Sequence, residues 1–149
     1  MSDFEGAYPV NALIFRIGTK GRASGEKDML EVAETTSVEP KSEASLEEWT
    51  PMNMGGWGKG LVTSRKYSVD VKAKRSVGNP GNDYVYGLAF NIGRDCQTVA
   101  EIEFPFEKKK IVFDCIVDVT NMGGGESTDV SGLEFTLHGD GIPKWVNIV

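Results

Sequence analysis

Residues 100–119 read AEIEFPFEKKKIVFDCIVDV, and the spacing of their apolar positions decides the fold class. Ala100, Ile102, Phe104 and Phe106 alternate with Glu101 and Glu103, a period of two that gives a strand with one buried face. Ile111, Phe113, Cys115, Val117 and Val119 then repeat the pattern, with Asp114 and Asp118 on the opposite face. The charged run between Pro105 and Lys110 reads as a turn, so the two strands form a hairpin. Working outward, Leu133, Phe135 and Leu137 supply a further strand, and Tyr67, Val69, Val71 and Ala73 alternate with Ser68, Asp70, Lys72 and Lys74 to supply another. NALIFRIG, about 11–18, is more continuously apolar and reads as a first strand, followed by GTKGRASGEKD as an exposed turn region.

One segment breaks the alternation. In VGNPGNDYVYGLAFNIG, residues 77–93, Asn79 suits a helix N-cap, Pro80 a first helical position, and Asp83 the positive end of the helix dipole. Val85, Leu88, Ala89 and Ile92 follow at helical spacing, and Gly93 suits a left-handed cap. The spacing predicts one helix over about 80–92, whose glycines serve backbone geometry and not a ligand. Between about 33 and 60 the chain is polar and weakly periodic, too long for an ordinary connection, and reads as a loop or arm. Trp49 and Trp57 lie within it. Two readings stand for them: they fold back on the rim of the core, or they anchor the arm against another subunit.

Composition narrows the function classes. A chain of 149 residues, 40% hydrophobic and 26% charged, suits a single domain. Sixteen Lys and Arg against 22 Asp and Glu leave a formal charge of -6, so the average surface offers no electrostatic grip on phosphate. No stretch approaches the roughly 18 apolar residues of a membrane-spanning helix, and MSDFEGAYPV lacks the basic and apolar blocks of a signal peptide. Cytoplasmic synthesis without a membrane anchor is expected. Cys96 and Cys115 read as two buried thiols, with a single disulfide as the alternative.

No motif supports catalysis. NMGGGESTD, 121–129, has small residues and hydroxyls together, yet no Lys stands at Walker spacing, and the segment reads as a turn between strands. His138, near Asp140, has no second His or placed nucleophile beside it and reads as a strand-end residue. No serine sits in a GxSxG elbow, and Cys115 lies on an apolar strand face without the electropositive setting of a reactive thiolate. No catalytic residue, metal or cofactor is expected.

The combination EEWTPMNMGGW (47–57), KAKRSVGNPGNDYVYGLAF (72–90), GRDC (93–96), VFDCIVDVTNMGGGES (112–127) and LEFTLHGDGIP (133–143) resembles the major tail, or tail tube, proteins of long-tailed phages, particularly the non-contractile ones of Gram-positive hosts. The resemblance runs from about Leu46 to Pro143. It implies a mainly β protein, a β-sandwich or split barrel with one flanking helix, six copies of which form a ring. Rings stack into a hollow tube that conducts the genome without reading its sequence. The implied partners are further copies of the chain, tail-terminating and tail-tip initiating proteins, and a tape-measure protein in the channel; the implied location is the virion. On this reading residues 1–10 and 33–60 are assembly arms, with Trp49, Trp57, Glu39, Glu47 and Glu48 at contacts between subunits or rings. Glu101, Glu103, Asp114 and Asp118 are the candidates for acidic side chains facing the channel, where negative charge would let a duplex slide. The competing expectation is a monomeric β-sandwich that binds a ligand, of the adhesin or carbohydrate-binding type.

Overall fold

The computed structural model describes residues 4–148. Eight strands run in chain order: β1 (Ile14–Gly18), β2 (Met29–Glu31), β3 (Thr35–Trp49), β4 (Lys59–Lys74), then, after helix α1 (Pro80–Gly87), β5 (Gln97–Phe104), β6 (Lys109–Asn121), β7 (Gly132–Gly139) and β8 (Lys144–Asn147). They form one antiparallel sheet in the order β2-β1-β5-β6-β7-β4-β3, with β8 also paired to β6. The expected mainly β architecture is present, as an open sheet curled over its own core. Phe15 of β1 and Phe135 of β7, which are not neighbours in the sheet, come within 6.2 Å ring to ring across that core.

The core follows the alternation. Val69, Val71 and Ala73 of β4, Ala100 and Ile102 of β5, Phe113, Cys115 and Val117 of β6, and Leu133, Phe135 and Leu137 of β7 are all buried on the concave side. The hairpin expected at Pro105–Lys110 joins β5 to β6 in register from Gln97 opposite Ile116 to Phe104 opposite Lys109. Its turn is a short 3₁₀ stretch, Pro105–Glu107, closed by Lys108 in the left-handed region at φ 53°. Phe106 falls in that turn, not in the strand.

The helix begins as its sequence dictates. Asn79 caps it, its side-chain oxygen accepting from the Asn82 amide at 2.9 Å, and Pro80 occupies the first position. It ends earlier than expected, at Gly87 and not near 92. Val85 and Leu88 are buried, at a gain of about 1.5–3 kcal/mol each. After them the backbone changes to i→i+3 bonds, Leu88 to Val85 and Ala89 to Tyr86. Ile92, which the helical period placed on the buried face, is 86% exposed. Two turns suffice to cover the core, and the chain then bends to enter β5.

The larger departure lies at 33–60. This stretch is not a loop: it comprises β3 and the start of β4, joined by a turn over 50–58. Two glycines mark where other elements meet this framework. A Cβ on Gly81 would lie 2.5 Å from the Glu31 carbonyl, so the first turn of α1 approaches the end of β2 as only glycine allows. A Cβ on Gly139 would lie equally close to the Tyr67 carbonyl, at the point where β4 leaves β7.

Candidate assembly surfaces

β7 pairs with β4 only from Ser68 to Lys74. β3 pairs with β4 from Thr35 opposite Ala73 to Trp49 opposite Lys59. Beyond Tyr67 the two strands therefore continue as a bare ribbon with no third strand, and from Lys41 to Thr50 every residue is exposed on both faces. At about 3.3 Å per residue the ribbon reaches roughly 25–30 Å past the body. Cross-strand pairing holds its register: Lys66 stands opposite Glu43 and Val62 opposite Leu46, with a bulge between Ser45 and Leu46 that strengthens the local twist. Its base is tied down by Lys41, which donates to Asp70 at 2.7 Å; that bond first, then one from Thr136, holds the Asp70 carboxyl below the ordinary carboxylate range.

The tip is apolar. Trp57 is 76% exposed and Trp49 46%, and Met52, Leu61 and Leu46 are exposed beside them. Of the two readings for the tryptophans, folding back on the core rim is excluded, because neither side chain reaches the body. Glu39, Glu47 and Glu48 stand exposed along β3.

The four acidic candidates lie on the convex face of the sheet, but not as four bare charges. Glu101 stands on the face where the alternation placed it but is buried there at 4% exposure, with Lys110 of β6 2.8 Å from it and Arg16 of β1 3.8 Å. Glu103 is half-buried and takes a 3.1 Å hydrogen bond from Arg16. Asp114 and Asp118 are exposed, with Arg22 at 3.8 Å from the first and His138 at 3.4 Å from the second. The strand pattern placed these carboxylates on the face opposite the core; their partners come from other strands and from the 3₁₀ turn at Gly21–Ala23, which no local pattern discloses. Lys72 likewise reaches Glu134 of the adjacent β7 at 3.9 Å.

The described part of the N-terminal segment lies against its own body. Tyr8 stacks on Phe106 at 5.4 Å, Phe4 packs tilted against the same ring at 4.6 Å, and the Tyr8 hydroxyl donates to Glu107. Met1–Asp3 of the segment expected as an arm fall outside the described residues. Asp83 accepts from Arg75 at 2.8 Å in addition to its place near the helix start. Sequence reasoning missed the hub beneath it: Asn82, fully buried, donates to the carbonyls of Ala33 and Lys74 and accepts from Arg75 and the Ser76 amide. An asparagine inside a helix pattern was the available signal.

Both cysteines are free and buried, and burial pushes the Cys115 thiol up to about 12. Among the described residues no group of three or more His, Cys, Asp or Glu side chains could hold a metal, and no helix is long and apolar enough to cross a membrane. A cleft of about 540 Å³ opens where the curled sheet fails to close, between Leu13 and the start of β3. Among the described residues that line it, Glu31 and Glu34 are the titratable ones.

No protein-family model matches the chain, and no curated protein matches it in sequence. Solved structures do match in fold. The chain is similar to a subunit of the tail of an empty gene transfer agent particle, refined with helical and C6 symmetry, at TM-score 0.74 and 14% identity over 94% of this chain and 99% of that one. It is also similar to a chain of the virion of the native gene transfer agent particle, at TM-score 0.70 and 12% identity over the same shares.

Proposed function

We propose that this chain is a structural tail protein of a phage-type particle, assembling as stacked six-membered rings into a hollow tube that conducts DNA. The observation that carries the reading is the unsupported β3–β4 ribbon with Trp49 and Trp57 at its tip, in a fold shared with a subunit of a helical, six-fold tail. A two-stranded ribbon is marginal in water on its own, and an apolar tip held out in solvent gains from burial against another copy. Trp49, Trp57, Glu47 and Glu48 are the contact residues on this reading, with Glu39 nearer the ribbon base. The sheet's convex face lines the channel. Its ion pairs lower its net charge while Asp114 and Asp118 remain at the surface, so a duplex meets a wall with little affinity for phosphate and no means of reading bases. Catalysis and cofactors have no part in this role. The remaining partners are a terminator, a tip initiator and a tape-measure protein, and the tail is of the non-contractile kind.

Negative-stain electron microscopy of the purified protein over a concentration series, with light scattering, tests the proposal. Hollow tubes or rings with a regular axial repeat are expected. Persistent monomers at high concentration, even after seeding with preformed tail tips, would overturn it in favour of a monomeric binding module.

A further inference from the structure

The cleft at the seam of the sheet and the apolar ribbon tip lie at the two ends of one strand. Residues 35–38, with which β3 begins, line the cleft, and the tip starts where β3 ends, at Trp49. At about 3.3 Å per residue, roughly 40 Å of strand separates them, so the tip of a copy stays far from its own cleft. A displacement of that size along the strand brings the tip of one copy to the cleft of another.

The cleft is built to take an apolar segment. Leu13, Phe15, Val32 and Val38 line it, and its volume of about 540 Å³ leaves room for an indole ring, since cavities of roughly 300–1,000 Å³ hold whole drug-sized molecules. Both its walls are open strand edges among the described residues. Ile14 and Phe15 of β1 pair with β5 but not with β2, whose pairing starts at Arg16, and β3 pairs with β4 alone. Such edges are templates for a further segment of chain. Glu31 and Glu34 stand exposed at the cleft, and Arg16, opposite Glu31, is already engaged by Glu101 and Glu103.

The tip complements these features. Trp57, in the turn over 50–58, is 76% exposed, and Lys59 stands directly opposite Trp49, on the same face of the ribbon. Glu47 and Glu48 precede Trp49 and lie further from the end, so they remain outside a cleft that the turn enters. We infer that the ribbon tip of one copy seats in the β1–β3 cleft of the next, with the Trp57 ring inside it and Lys59 against Glu31 and Glu34. Tip and cleft are different surfaces, so the contact is heterologous. Every docked copy leaves one tip and one cleft unused, and the contact propagates instead of stopping at a dimer. The inference rests on the tube-forming proposal for its premise that copies associate; it adds which surface receives the ribbon.

The test replaces Trp57 in the full chain by p-benzoylphenylalanine, a bulky photoreactive aromatic, and assembles this variant with isotope-labelled wild type before irradiation. Mass spectrometry should find the cross-link joined to residues 10–15 or 31–38 of labelled copies. A cross-link to any other part of a second copy, or only within its own chain, overturns the inference and leaves the tube proposal standing. Charge reversal is the second arm. Glu31→Lys/Glu34→Lys should raise the concentration needed for polymerisation about fivefold, and adding Lys59→Glu to that chain should restore assembly, because the opposed charges are then exchanged. Thermal melting checks that each variant is folded, and the cross-link decides alone where one is not. A folded double variant that polymerises like wild type, or a folded triple variant that does not recover, also overturns the inference. A wild type that never assembles removes both the inference and the tube proposal.

Discussion

Asn82 and Arg75 hold together parts of the chain that are distant in sequence. Asn82 ties α1 to the carbonyls of Ala33 and Lys74, while the Arg75 guanidinium bridges Asn82 and Asp83 and lies 4.2 Å from the Tyr86 ring centre. Asn82→Leu removes four hydrogen bonds at a fully buried site and leaves the Ser76 amide and two carbonyls unsatisfied. A loss of about 2–4 kcal/mol in stability is expected from chemical denaturation of the monomer. The caps at Asn79 and Pro80 were legible because capping depends on local backbone geometry. Asn82 was not, since its partners are brought to it only by the fold. Glu101 teaches the same lesson for charge: alternation put it on the outward face, and Lys110 from the neighbouring strand buried it there.

Strands with one buried face announce themselves, and β5, β6, β7 and the inner half of β4 were all readable for that reason. β3 was not. Its sequence TTSVEPKSEASLEEW is polar on both sides because both sides meet solvent, so no alternation marks it, and Pro40 is tolerated because β3 is an edge strand. β8 was missed because four residues are too few to show a period. The ribbon's lack of neighbours sets its dynamics: with few buried contacts and solvent-facing hydrogen bonds, its amides should exchange fastest among the strands of the free chain and become protected in the polymer. Hydrogen exchange followed by mass spectrometry reads this directly. Replacing residues 44–65 by a two-residue Asn-Gly turn should leave the body folded, with a melting temperature within a few degrees of wild type, and abolish tube formation. A truncated chain that still polymerises would remove the ribbon from the assembly mechanism.

The curl of the whole sheet determines what water can reach. Cys115 lies on a strand whose outward neighbour Asp114 is exposed, yet its thiol is driven up to about 12 by desolvation, and Tyr67, whose hydroxyl has no hydrogen-bond partner among the described residues, is driven to about 12 by the same cause. Both groups bind their protons more tightly folded than unfolded, where their ordinary values are 9.0 and 10.0. Their contribution to stability is thus full below about pH 9 and declines as the pH rises toward 12. Denaturation curves at pH 8, 10 and 11.5 should show falling stability, and Tyr67→Phe should flatten part of the decline. A thiol reagent at pH 8 should label Cys115 only on unfolding.

By itself the sequence determined the strand-rich class, the concave core and the start of the helix, because each depends on residues adjacent in the chain and on one period of burial. Tertiary structure decided where the helix stops, that the polar stretch 33–60 is a projecting ribbon, and which cations stand beside the outward carboxylates. Those outcomes depend on which elements become neighbours, and a segment exposed on every side, or a charge partnered from another strand, leaves no periodic trace in its own residues.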